Sequence, residues 1–138
     1  MNVSGDVAEI ARAALAELET GLEHLRQVGH DSWVACFFEG PFDPDHPDFA
    51  CAYASLSGHL TGRPETRLSI TIEVDTDTTA AFRVEGTLSR HQDRDPPEAL
   101  SSTELGAYAA MNVSEAESHA RHLARYGVAR VLNEAATA

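Results

Sequence analysis

The sequence contains no lysine. All ten basic residues are arginine, set against twenty-two acids, and the formal net charge is −12. A surface so poor in cations opposes binding to nucleic-acid backbones and to anionic membranes. Cysteine is scarce too: Cys36 and Cys51 are too few for a disulfide framework. No apolar run approaches the ~20 residues of a membrane span. The opening Met1 to Asp6 offers neither a basic n-region nor an apolar h-region, so the expected location is cytoplasmic. There is no nucleophile elbow, phosphate-cradling glycine loop, CxxC pair or HExxH helix. These absences remove the commonest enzymatic readings, and the sequence names no cofactor and no metal.

What is present is the patterning of a globular chain. Its 138 residues are 43% hydrophobic, which suits a single α+β domain over 1–138. Leu68, Ile70, Ile72 and Val74 alternate with Ser69, Thr71 and Glu73. After the polar turn at residues 75–79, Phe82, Val84, Gly86 and Leu88 alternate with Arg83, Glu85, Thr87 and Ser89. Two period-two runs about a turn predict an antiparallel hairpin with one covered face and one wet face.

The other elements are arranged around that hairpin. Asp6 and Glu9 form a capping box, and Val7, Ile10, Ala14, Leu18, Leu22, Leu25 and Val28 recur at helical spacing, with Gly29 placed to end the helix. Ser32–Glu39 is a continuous apolar run of strand length, expected to be buried on both faces. Residues 40–48 carry three prolines and form a loop. Phe49 to Leu60 fits either a strand or a helix; short connections to both neighbours favour the strand. Ser101 with Glu104 resembles a second capping box and predicts a helix to about Met111, and Ser114 with Glu117 predicts another beyond it. The expected fold is therefore a long N-terminal helix, a four-stranded antiparallel meander, and two C-terminal helices packed on one face.

Several groups of residues invite chemistry. Asp43, Asp45 and Asp48 share a loop, but they lack EF-hand spacing and lie between stiffening prolines, so a hydrated acidic loop is the better account. Glu115, His119 and His122 share a helix face opposite the apolar stripe, with no further ligand identifiable. Cys36 and Cys51 are expected to be inert core thiols.

Two functions remain. The leading expectation is a non-enzymatic, acidic protein-binding module: an inhibitor, immunity protein or chaperone-like adaptor, classes in which such layouts occur. From Arg26 to Arg63 the chain carries no cation yet holds Asp31, Glu39, Asp43, Asp45 and Asp48. A basic protein partner is expected to dock there, steered by the one-signed field. The alternative is a small-ligand-binding or cavity enzyme domain of cystatin-like α+β build. Trp33, Phe37, Tyr53 and Phe82 would line an apolar pocket between sheet and helices, with His59 or His91 as its polar group. A homodimer is expected as well, because the Trp33 to Phe38 run needs more cover than one helical layer supplies.

Overall fold

A computed structural model describes residues 3–40, 50–60, 65–92 and 98–137. The element order is α1 (Val3–Gln27), β1 (Val34–Glu39), β2 (Cys51–His59), β3 (Thr66–Thr76), β4 (Phe82–Gln92), β5 (Glu98–Ala110) and α2 (Val113–Thr137). The strands form one antiparallel sheet in the order β1-β2-β3-β4-β5. The fold is α+β, with α1 and α2 in contact and both packed on the same face of the sheet. No helix among the described residues is long and apolar enough to cross a membrane.

The expected hairpin is β3–β4. Ile72 lies opposite Gly86, Val74 opposite Val84, and Ile70 opposite Leu88. These side chains and Leu68 are buried beneath the helices, each contributing about 1.5–3 kcal/mol of hydrophobic transfer. Residues 51–59 are indeed a strand. Ala52 and Ala54 on its inner face are fully buried, and their small side chains let α1 lie close across it. Helix α1 buries Val7, Ile10, Ala14, Leu18 and Leu25. It starts three residues before Asp6, which therefore sits in the first turn, where a carboxylate suits the macrodipole. Its C-terminus is a Schellman motif. His30 N–H bonds to Leu25 O at 2.8 Å and Gly29 N–H to Arg26 O at 3.1 Å, with Gly29 at φ 93°.

Three expectations need correction. The sheet has five strands rather than four, because residues 98–110 form β5 and not a helix. The capping-box pattern at Ser101 and Glu104 misled. The open edge of the eleven-residue β4 offers a full ladder, and that tertiary pairing outweighs a weak local helix preference. There is consequently one C-terminal helix, α2. Its cap is Asn112 rather than Ser114: Asn112 Oδ1 accepts the Glu115 N–H at 2.8 Å.

The third correction concerns β1. Its apolar run is not buried on both faces. Among the described residues it is an edge strand paired with β2 alone, and Val34 and Phe38 are 49% and 48% exposed. Trp33 is the fully buried member of the run, and it lies just before the strand. At the far side of the fold, Arg90 of β4 and Glu134 of α2 form a two-pronged ion pair that ties the end of α2 to the sheet.

Candidate functional site

Strand periodicity sends alternate side chains to opposite faces. The inner set of β2–β4 is covered by helices. The outer set is covered by none of the described elements. The register aligns this outer set into rows across the sheet. One row runs Phe38, Tyr53, Glu73, Glu85, Ala107; the next runs Cys51, Asp75, Arg83, Ala109. The β1 end of the first row is aromatic, with the Phe38 and Tyr53 rings stacked at 4.9 Å between centroids and 24° between planes. Its middle is acidic.

The acids are imperfectly compensated. Glu73 and Glu85 are directly opposite one another, a like-charge pair that costs stability. Arg83 donates to Glu85 Oε1 at 2.8 Å, so the single cation of these two rows serves Glu85. Glu73 is left beside Asp75. Partial burial, followed by the fields of Asp75 and Glu85, pushes its carboxyl up to about 7. Cys51 Sγ lies 4.0 Å from Glu73 Oε1, and burial together with Asp75 pushes the thiol up to about 12. Both groups, Glu73 and Cys51, are raised first by burial and then by neighbouring carboxylates, so this end of the face gathers acids with little compensating positive charge.

Cys51, Glu73 and Asp75 have donor atoms within 4.8 Å of one another. The set falls one ligand short of a closed zinc site, and a thiol held so firmly protonated binds a metal only by surrendering its proton. The arrangement is better suited to hydrogen-bonded contact with an ammonium or guanidinium group, which needs no ligand to deprotonate.

The residues expected from sequence are distributed as follows. Glu39 ends β1 and accepts from Arg12 at 3.2 Å, on the helix side of the sheet edge. Asp31 is exposed before the opposite end of β1, so it does not join Glu39. Asp43, Asp45 and Asp48 lie outside the described residues; Gly40 and Ala50, which flank that connection, both sit at the acidic end of the sheet. Of the six pocket residues, Trp33 and Phe82 are buried core. Phe37 faces α1, and Tyr53 lies on the outer face. His59 and His91 flank Arg67 on that outer face, at the end away from the acids. No described cavity unites these six. Cys36 lies opposite Ser55, four residues along β2 from Cys51, and neither cysteine is in a disulfide. His119 stacks on Tyr108 of β5 at 4.5 Å, and its Nε2 stands 3.9 Å from Glu115.

Sequence reasoning missed Glu73, Asp75 and Glu85. The signal was available, since period two puts Glu73 and Asp75 on one face and the hairpin sets Glu85 opposite. Reading that face only as wet concealed it. No family model, curated protein or solved structure matches this chain.

Proposed function

We propose that the protein is a non-enzymatic binding module that takes a basic protein partner on the helix-free face of its sheet. It would act as an inhibitor, immunity protein or chaperone-like adaptor acts, by occupying its partner. One observation carries this reading: half-exposed Phe38, stacked on partly buried Tyr53, stands in register beside Glu73 and Glu85, with Asp75 in the adjoining row. An aromatic anchor with a charged neighbourhood is the composition of binding hot spots. A docking Arg or Lys would relieve the like-charge repulsion that the isolated chain carries, so the cost of the Glu73–Glu85 pair becomes binding energy. The overall charge of −12 adds long-range attraction for the same partner.

The test is affinity capture with the intact chain at low salt, repeated with two variants. One variant is Glu73→Gln with Asp75→Asn and Glu85→Gln; the other is Phe38→Ala with Tyr53→Ala. A basic protein held by the wild type and lost by both variants supports the reading. A captured protein that both variants retain removes this face from the function. Loss confined to high salt in the wild type, with a slowed association rate in the acid variant, would identify the electrostatic part.

A further inference from the structure

We propose that β1 is the interface of a symmetric homodimer, in which the β1 strands of two copies pair antiparallel about a two-fold axis at Cys36 and join two five-stranded sheets into one. Phe38 is common to this edge and to the aromatic end of the row proposed for the basic partner, and the two readings are told apart by Ala35→Pro, which alters the edge of β1 without touching the outer-face row.

The hydrogen-bonding pattern fixes which groups are available. Gly40 N–H bonds to Cys51 O at 3.0 Å, so Gly40 is directed toward β2. Alternation directs Phe38, Cys36 and Val34 the same way, and turns the N–H and C=O of Ala35 and Phe37 to the open edge. Edges in natural proteins are usually guarded by lysine, proline, a bulge or an inward charge. Val34 to Phe38 contains none of these, and its pairing with β2 has no register shift.

Axes at Ala35, Cys36 or Phe37 all pair the outward groups of this edge with a copy of itself, and only the one at Cys36 also covers both exposed apolar side chains. With Cys36 opposite Cys36 on the axis, Ala35 lies opposite Phe37 of the second copy. Their outward groups then exchange ladder bonds on both sides of the axis. On the outer face, Val34 meets Phe38 of the second copy, twice, so the two exposed apolar side chains of β1 cover each other. On the inner face, large Phe37 falls beside small Ala35. That is where a groove of about 450 Å³ runs between α1 and β1, lined by Leu15, Leu22, Ala35 and Phe37. Moving the axis by one residue either way leaves Val34 opposite Gly40, or Phe38 opposite Ser32.

Charge selects the occupant. A chain of −12 repels its own copy over most of its surface. The groove is an exception, for its charged lining residues are Glu19 and Arg26, one of each sign. At the far end of β1, Arg12 is matched by Glu39 and lies over the Phe37 ring at 4.8 Å. A neutral, apolar, self-complementary edge suits a second copy; a basic partner is drawn instead to the acids of the helix-free face.

The experiment is sedimentation of the full chain from micromolar to near-millimolar concentration, with the variants Ala35→Pro and Phe38→Lys. Proline at 35 removes an N–H that faces the open edge and leaves the β2 ladder whole. The wild type is expected to approach twice its 14.9 kDa mass while both variants stay at the monomer mass. Should Ala35→Pro fail to fold, Phe38→Lys decides alone, since its side chain is already half exposed. In a Cys51→Ser background, diamide is expected to link the dimer through Cys36, taking up the two protons and two electrons that the thiols release. The two Cα atoms would lie about 4.5 Å apart, within disulfide reach. A wild type that stays monomeric throughout overturns the proposal. So does a dimer that persists in Phe38→Lys, or one that diamide cannot link.

Discussion

The indole of Trp33 fills the space that any side chain at position 58 would need. A Cβ on Gly58 would lie 2.7 Å from Trp33 Cγ and 2.8 Å from Trp33 Cα. The ring is fully buried, and its Nε1–H donates to His59 O at 3.0 Å. Ser32 completes the clamp: its hydroxyl donates to the same carbonyl at 3.1 Å and accepts the His59 N–H at 2.9 Å. The start of β1 is thereby fixed to the end of β2. Gly58→Ala forces the indole or a strand to shift, and is expected to cost about 1–3 kcal/mol in urea melts, the range for overpacking a filled core. A loss within ~0.5 kcal/mol would show that the clamp yields freely.

The two faces of β3 should respond differently to truncation. Ile72 is fully buried beneath the helices, and Thr71, its neighbour, lies on the outer face opposite Thr87. Ile72→Ala is expected to cost about 2–5 kcal/mol through lost transfer energy and the cavity left behind. Thr71→Ala is expected to cost well under ~1 kcal/mol. Equal midpoint shifts in urea would contradict the assignment of faces.

These strands were legible in the sequence because one covered face imposes alternation on every residue. The ends of α1 were legible within a few residues, with Gly29 performing the chain reversal its position implied. β5 was not legible. Ser101 and Glu104 carry a true local signal for a helix start, and only the unpaired edge of β4 overrules it, a fact no local window contains. The edge position of β1 was hidden for a related reason: an apolar run states that cover is wanted, not which element supplies it. The acid cluster needed the β2–β3 register, which brings Cys51 opposite Asp75 and Tyr53 opposite Glu73.

Glu73 gives the fold a pH dependence opposite to that of a salt-bridged acid. Its folded carboxyl is raised from an ordinary 4.5 to about 7. Between those values the folded chain holds a proton that the unfolded chain releases, so the contribution to stability falls as pH rises. It is fully favourable below 4.5 and lost on passing through 7. The group is only partly buried, and solvent screening holds the effect to about 1 kcal/mol. Glu73→Gln is therefore expected to gain about that much over the wild type at pH 8 and almost nothing at pH 4. Urea melts at the two values check this through the difference between the proteins, in which other titrations cancel. A constant difference across the range would mean that Glu73 titrates normally.

The two cysteines should differ sharply in reactivity. Thiolate is the nucleophile, so a thiol's rate follows the fraction ionised and its access to reagent. Cys51 is buried, and burial with the neighbouring Asp75 holds it up to about 12. At pH 8 its ionised fraction is about one in ten thousand, against roughly a quarter for an ordinary thiol. Cys36 is only half-buried on the edge strand. Treated with iodoacetamide at pH 8, the native chain is expected to label first at Cys36, with Cys51 slower by two orders of magnitude or more. In urea the two rates should converge, because unfolding removes both the burial and the fixed carboxylates. Asp75→Asn adds the diagnostic step. It leaves the packing in place and deletes the second largest influence on the thiol, so Cys51 labelling should accelerate in the folded protein while Cys36 labelling stays unchanged. Peptide mapping by mass spectrometry separates the two sites. If Cys51 labels as fast as Cys36 in the native wild type, the excess negative potential assigned to this end of the sheet is absent, and the acid cluster loses its claim to a docking role.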